Sequence, residues 1–392
     1  MVYFITLGYL LYLIYKYDIC NANNNKEKHY ILLFLLFVSI AGLSYRLGID
    51  SIRFDSFFSD YDNENSFKVF FSSDVFEAGK EPIWVLLNYA FSHLFHESQV
   101  LKCTINICFN LVVFWFIKKY SPLPFITLLI YAIFQFFQFN FEILRESIAI
   151  LFFLIALDKI LGTEKNYLMY YVWIIPSILV HHFAFIALII PLFTFINNDK
   201  VYYFLLAILF FVSPIINKYL MTFIFFLSDE DLLMRLAQYS EHDLYGFRSI
   251  NIFGYIQMFL LELLPFLILL TYGQNKSCKA MGFAYVFFRA FQGVSLSIFF
   301  RVNNYLFFPM AIALTEGVEY CILKFGRNQQ LKQFRMPKYF FVITFLFILI
   351  NKTTQIITRD SIVMYYPYSS IISKEKDPVR EAYYINILNW EY

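Results

Sequence analysis

Charge is scarce in this sequence. Only 15% of its 392 residues are Asp, Glu, Lys or Arg, where a soluble domain carries roughly 25%. With 60% of its residues hydrophobic, against roughly 45–50% in a soluble domain, a soluble globular chain is excluded. Cysteine is sparse. Cys20, Cys103, Cys108, Cys278 and Cys321 form no CxxC pair and no zinc spacing, which argues against a disulfide framework or a metal site and leaves them as packing residues. There is no glycine-rich phosphate loop, no GxSxG elbow and no HExxH pair. A DxD-like metal–sugar site on the cytoplasmic side is missing, as is a long basic patch for nucleic acid. ATP-driven transport, nucleotide-sugar chemistry and nucleic-acid binding are therefore unsupported. No cofactor and no metal is expected. Internal repeats and long low-complexity segments are not evident.

What is present is apolar. Hydrophobic residues make up 60% of the chain, with 51 Phe and 31 Tyr. The runs are continuous rather than alternating, so an all-α, polytopic transmembrane helical bundle is expected and a β-barrel is disfavoured. Candidate spans lie near 2–17, 30–47, 101–117, 122–138, 146–158, 167–183, 184–196, 201–227, 251–272, 281–299, 302–322 and 339–351. Several fall short of the roughly 20 residues a span needs, so the expected number is about 10–12. Val2–Tyr17 lacks the basic start and small-residue cleavage site of a signal peptide and reads as the first membrane helix. Residues 167–196 form either one long span or a hairpin turning at His181-His182, and 82–96 a re-entrant or interfacial helix.

Orientation follows from Lys and Arg in short loops. Residues 324–338 carry five bases and no acid and read as a cytoplasmic loop. Lys26/Lys28, Lys118/Lys119, Lys159/Lys165 and Lys276/Lys279 fall on the same side if spans alternate. Within a single membrane domain covering 1–392, two longer loops, 48–81 and 228–250, and the tail 352–392 then face outward. Both loops are acid-rich.

The polar group at the centre of the sequence is Glu142, Arg145 and Glu146, spaced i, i+3, i+4 at the start of an apolar run. Ionisable groups at a membrane helix are costly and point to function, with a partner expected nearby. Arg145 is either an interfacial arginine neutralised by Glu142 and Glu146 or a ligand for an anionic group, which its planar fork suits. Arg301, followed by Asn303, Asn304 and Tyr305, is a second candidate, its alternative being snorkelling. Arg289 suggests a structural pair with Glu262. His181-His182 fits plain interfacial polarity, proton transfer or a hydrogen bond to phosphate. Arg248 closes the second outer loop. In the first, Gly48-Ile-Asp50-Ser-Ile-Arg53-Phe mixes rings with carboxylates, as sugar recognition does.

Arranged in order, these residues resemble the EpsG-type family of polysaccharide polymerases, which includes Wzy-type O-antigen polymerases. Arg46-Leu-Gly48-Ile-Asp50 resembles its Arg-x-Gly-x-Asp, and Glu81-Pro82-Ile-Trp84-Val-Leu86-Leu-Asn88 its Glu-Pro-Gly-aromatic segment. Arg145-Glu146-Ser-Ile148-Ala149 resembles Arg-Gln-x-Ile-Ala, and His181-His182-Phe183-Ala184 resembles His-x-Ser-Ala. Arg301 with Tyr305, and Tyr366-Pro367-Tyr368, resemble late motifs. Glu146, Ile83 and Phe183 depart from the usual Gln, Gly and Ser. Spacing to Ala184 favours His181 as the family histidine.

The resemblance implies an inner-membrane glycosyltransferase that joins oligosaccharide repeat units on the periplasmic face. Donor and acceptor would both be carried on undecaprenyl diphosphate, beside membrane lipid, with a chain-length regulator and a flippase as further partners and no nucleic acid. Arg145, Arg301, Arg248 and His182 would bind diphosphate. Glu146, Glu142, Asp50 and His181 would serve the chemistry, and Arg46, Arg53, Glu81 and Tyr305 the sugars. The alternatives are a lipid-linked oligosaccharide flippase, which needs a polar path open to both faces, and a non-catalytic partner in an assembly complex.

Overall fold

The computed structural model describes residues 2–62, 81–162, 164–195, 200–206, 208, 252–292, 297–323 and 338–390. Most of the first outer loop, the whole of the second with Arg248, and the basic loop up to Pro337 lie outside the described residues. Among those described, the regular elements are helical, and the sole strand-like contact is an antiparallel bridge between Ser44 and Ser370. The helical expectation therefore holds. Three helices are long and apolar enough to cross a membrane by length and composition: Ser98–Tyr120, Phe299–Ile322 and Lys338–Ile357. Shorter apolar helices accompany them.

The chain divides into two compact units, Met1–Leu188 with Lys352–Tyr392, and Ile189–Asn351. The first contains α1 (Val2–Leu13), α2 (Lys26–Gly42), α3 (Ile49–Asp62), α4 (Pro82–Phe95), α5 (Ser98–Tyr120), α6 (Pro124–Phe134), α7 (Leu144–Leu161) and α8 (Tyr167–Val180). Pro82 and Pro124 open α4 and α6, where the missing N–H costs nothing. Asp18 accepts the Ile126 N–H at 2.8 Å and so caps the start of α6. Of the two readings of 167–196, the hairpin is the one observed. α8 ends at Val180, His181 is extended, and a 3-10 turn, His182–Leu188, folds back so that Tyr170 Oη donates to the Ala187 carbonyl at 2.5 Å.

The chain breaks before α7 for a visible reason. Asn110, Tyr131 and Asn140 are buried and close a ring of hydrogen bonds of 2.7, 2.8 and 3.0 Å. Buried amides are costly unless satisfied, so this ring pins Asn140 and the π-helical turn Gln138–Glu142. Ser147 Oγ then donates to the Phe139 and Ile143 carbonyls at 2.6 and 3.0 Å. The break brings Glu142 out at the end of one helix and Arg145 into the first turn of the next.

The second unit packs Lys276–Gln292 against Ser297–Val318. At Gly317 a Cβ would lie 2.1 Å from the Leu269 carbonyl oxygen, so only glycine allows that helix approach. Glu262 and Arg289 form the expected pair, at 2.9 Å.

Candidate functional site

α5 has two polar ends within the first unit, about 24 Å apart at 1.5 Å per residue between Lys102 and Lys118. At its C-terminal end Lys118 meets Glu27 at 2.5 Å, and Lys119 meets Asp158, which also accepts from Tyr120 Oη at 2.7 Å. The α2 start, the α5 end and the α7 end thus converge, as the loop charges suggested. The other end gathers the residues singled out in the sequence.

There, α3 is held from three sides. Buried Lys102 donates to the Ser51 carbonyl at 2.8 Å and to Asp55 at 2.5 Å, and Ser98 Oγ donates to Asp55 at 2.6 Å. Glu142 accepts the Ile49 and Asp50 N–H groups, both at 3.2 Å, so its carboxylate caps α3 where the helix dipole favours negative charge. Tyr365 Oη donates to the same carboxylate at 2.6 Å. Burial pushes the Glu142 carboxyl up, while the Tyr365 hydroxyl and the two N–H groups pull it back. Gly48, with φ +87°, makes the close approach possible: a Cβ there would lie 2.8 Å from the Phe141 carbonyl oxygen.

The C-terminal segment closes over this junction. Arg46 makes a bidentate pair with Glu381 at 2.6 and 2.7 Å. Fully buried Arg380 donates to the Val363 carbonyl and Ser369 Oγ at 3.2 and 2.9 Å and to the Pro367 carbonyl. Backbone bonds Tyr45–Ser369, Gly48–Met364 and Ile371–Leu43 finish the seam. The Tyr366-Pro367-Tyr368 motif therefore lies against the Arg46–Asp50 motif.

Arg145 finds its carboxylate elsewhere than in its own triplet. Its Nη1 donates to Glu81 Oε2 at 2.8 Å. The other oxygen of Glu81 accepts the His182 backbone N–H at 3.1 Å and meets His182 Nδ1 at 2.8 Å. The Glu81 side chain is 8% exposed, that of Arg145 36% and that of His182 60%. One buried carboxylate thus holds a half-buried guanidinium and an exposed imidazole side by side. Burial alone would raise Glu81, but the His182 hydrogen bond and the Arg145 charge overcome it and hold the carboxyl at about 2. The remaining N–H groups of Arg145 and the Nε2 of His182 have no partner among the described residues.

The other candidates fall into place around this trio. Asp50 is exposed at the first turn of α3, and Arg53 is half-buried one turn on. Glu146 and His181 are each 2% exposed, so both lie inside the unit. The His181 ring stacks on that of His182, with centroids 5.2 Å apart. No group of three or more His, Cys, Asp or Glu positioned to hold a metal is found among the described residues.

A family model described as the EpsG family matches residues 27–370. The chain belongs to the EpsG family. No curated protein and no solved structure matches it. EpsG proteins are membrane proteins of Wzy-type polymerase-like character, associated with glycosyltransferase-like activity. In this EpsG chain the motifs Arg46–Asp50, Glu81, Arg145, His182 and Tyr365–Tyr368 meet at one end of the first unit. Arg301 and Tyr305 belong to the second unit, where Arg301 is half-buried and Tyr305 fully buried. Three features escaped the sequence reading: Glu81 as partner of Arg145, Glu142 as cap of α3, and the seam through Arg380 and Glu381. Glu81 carried a signal, a carboxylate directly before a helix-opening proline, but nothing local says which cation it meets.

Proposed function

We propose that this chain is a polysaccharide polymerase that joins repeat units carried on undecaprenyl diphosphate, at the periplasmic face of a bacterial inner membrane. The observation that carries the reading is the Glu81–Arg145–His182 trio: a buried carboxylate holding a half-buried arginine and an exposed histidine, in a family of polymerase-like membrane proteins. The reaction displaces lipid diphosphate from the anomeric carbon, and negative charge builds on the departing group. A preoriented guanidinium beside that group contributes about 2.7–4 kcal/mol, on the scale of a single well-placed donor. Arg145 is such a group, because Glu81 fixes it while leaving most of its N–H fork exposed. Arg301, in the second unit, and Arg248, outside the described residues, are proposed as anion ligands on the sequence pattern alone. Arg53 and Asp50, at the start of α3, are proposed to face the sugars.

The test uses the purified full chain in detergent and the undecaprenyl-diphosphate-linked repeat unit isolated from cells in which the gene for this chain is deleted. A ladder of polymer from the native chain, lost in Arg145→Ala while the variant still elutes as folded protein, supports the reading. Movement of the lipid across liposomes without a ladder replaces it with the flippase. Equal ladders from both proteins leave polymerisation standing and remove Arg145 from the site.

A further inference from the structure

The polymerase reading leaves open which group takes the proton of the acceptor hydroxyl. The three carboxylates considered for it are poorly suited. Glu142 is committed to capping α3 and to Tyr365. Glu146 is buried. Asp50 is exposed, but a solvated carboxylate is a weak base toward a hydroxyl. His182 has a different setting. Its backbone N–H and its ring Nδ1 both contact one oxygen of Glu81, so the ring is anchored at two points. The stacked His181 ring covers one of its faces. An ionised carboxylate only accepts hydrogen bonds, and Arg145 on the other oxygen keeps Glu81 ionised. The hydrogen of the neutral ring must therefore sit on Nδ1. The lone pair is then on Nε2, at a side chain that is 60% exposed. This is the carboxylate–histidine arrangement that makes a general base.

We infer that His182 is the general base of the glycosyl transfer and that Glu81 is the residue that positions it, while the same carboxylate positions Arg145 for the leaving diphosphate. The inference rests on the polymerase reading above. Nε2 takes the proton of the acceptor hydroxyl as that oxygen bonds to the anomeric carbon. The bond from that carbon to the diphosphate oxygen breaks, and its electron pair departs with the lipid diphosphate, beside Arg145. The proton then passes from Nε2 to water or to the departing diphosphate, which restores the neutral ring. Glu81 thus ties the proton acceptor and the anion site to one rigid point, its two oxygens serving one each. His181 lies inside the unit, its ring stacked on that of His182.

The experiment compares the native full chain with His182→Gln, His182→Asn, Arg145→Ala and Lys118→Ala. For each protein, kcat and KM are measured with the isolated repeat unit, and the binding of undecaprenyl diphosphate alone is measured separately. The expected result is a kcat about 10²–10⁴-fold lower in both His182 variants, the span of a lost general base. Binding of undecaprenyl diphosphate should change less than about 3-fold there, weaken more than about 10-fold in Arg145→Ala, and both readouts should survive in Lys118→Ala, at the far end of α5. If the His182 variants lose undecaprenyl diphosphate binding in step with activity, His182 is a phosphate ligand and the inference falls. If they polymerise like the native chain, the inference falls and the polymerase reading stands. A native chain that binds undecaprenyl diphosphate yet makes no polymer removes both.

Discussion

The two ends of α5 both carry ion pairs, and at each a largely buried carboxylate, Asp158 or Glu81, is shared by more than one partner. At one end Lys118 and Glu27 pair with side chains 51% and 66% exposed. Water screens such a pair, and ordering two long side chains offsets most of the gain. At the other end Glu81 is 8% exposed and shared by Arg145 and His182. A carboxylate taken out of water must be matched by donors, and removing one leaves the others misaligned. The difference teaches that ion-pair geometry alone does not mark a site. Burial of a shared carboxylate does not mark one by itself either, since the Asp158 side chain, 9% exposed, is shared by Lys119 and Lys159 at the first end; the Glu81 end differs in mounting a histidine beside its arginine.

The largest effect should come from removing the cation of the buried trio. Arg145→Ala is expected to lower polymer yield by about 10²-fold or more, while Lys118→Ala at the other end leaves it within about 2-fold. Ladder assays on the two variants side by side would break the comparison if they fell equally.

Next comes the backbone that lets α3 reach its cap. Gly48→Ala places a Cβ 2.8 Å from the Phe141 carbonyl oxygen at a left-handed residue. A loss of about 2 kcal/mol or more is expected. Gly8 has nothing within 4 Å of its would-be Cβ, so Gly8→Ala should be neutral or stabilise by up to about 1 kcal/mol. Thermal unfolding in detergent measures both. A Gly48→Ala protein that melts like Gly8→Ala would show that α3 does not need this approach.

Acid should act on the site end. Glu81 is held at about 2 in the folded chain, below the roughly 4.3 of an unfolded glutamate. A depressed carboxyl contributes stability that is complete above the unfolded value and is lost as pH falls toward about 2. With the solvent around Arg145 and His182 discounted, the loss is of order 1–2 kcal/mol. Melting curves between pH 5 and about 2.5 should show it, and in Arg145→Ala the total loss should be smaller and should level off at higher pH. A loss of unchanged size in that variant would mean that Arg145 is not what holds the carboxyl down.

The smallest effect sharpens the other side of the comparison. Glu27→Gln is expected to change the melting behaviour by no more than about 0.5 kcal/mol, and salt should erase the difference. A loss several times larger would show that the exposed Lys118–Glu27 pair is held as firmly as the Glu81 trio.

What the sequence alone determined is class, order and periodic pattern. Low charge and continuous apolar runs dictate helices, because backbone groups away from water must be satisfied within each segment. Motif order from Arg46 to Tyr368 was enough to indicate the family. The Arg289–Glu262 pair and the meeting of the basic helix ends were also legible, since both follow from spans that alternate in direction. What only the tertiary structure decided is who meets whom. Helical spacing pointed to Glu142 and Glu146 as partners of Arg145, yet the partner is Glu81, 64 residues away. Glu142 instead caps α3 and meets Tyr365, 223 residues along, and Arg46 reaches Glu381, 335 residues along. Periodicity describes one helix face at a time. It cannot say that a ring of buried amides breaks the chain at Asn140 and turns Glu142 and Arg145 toward different neighbours. That choice belongs to packing, because each buried charge settles where a donor from another helix end arrives.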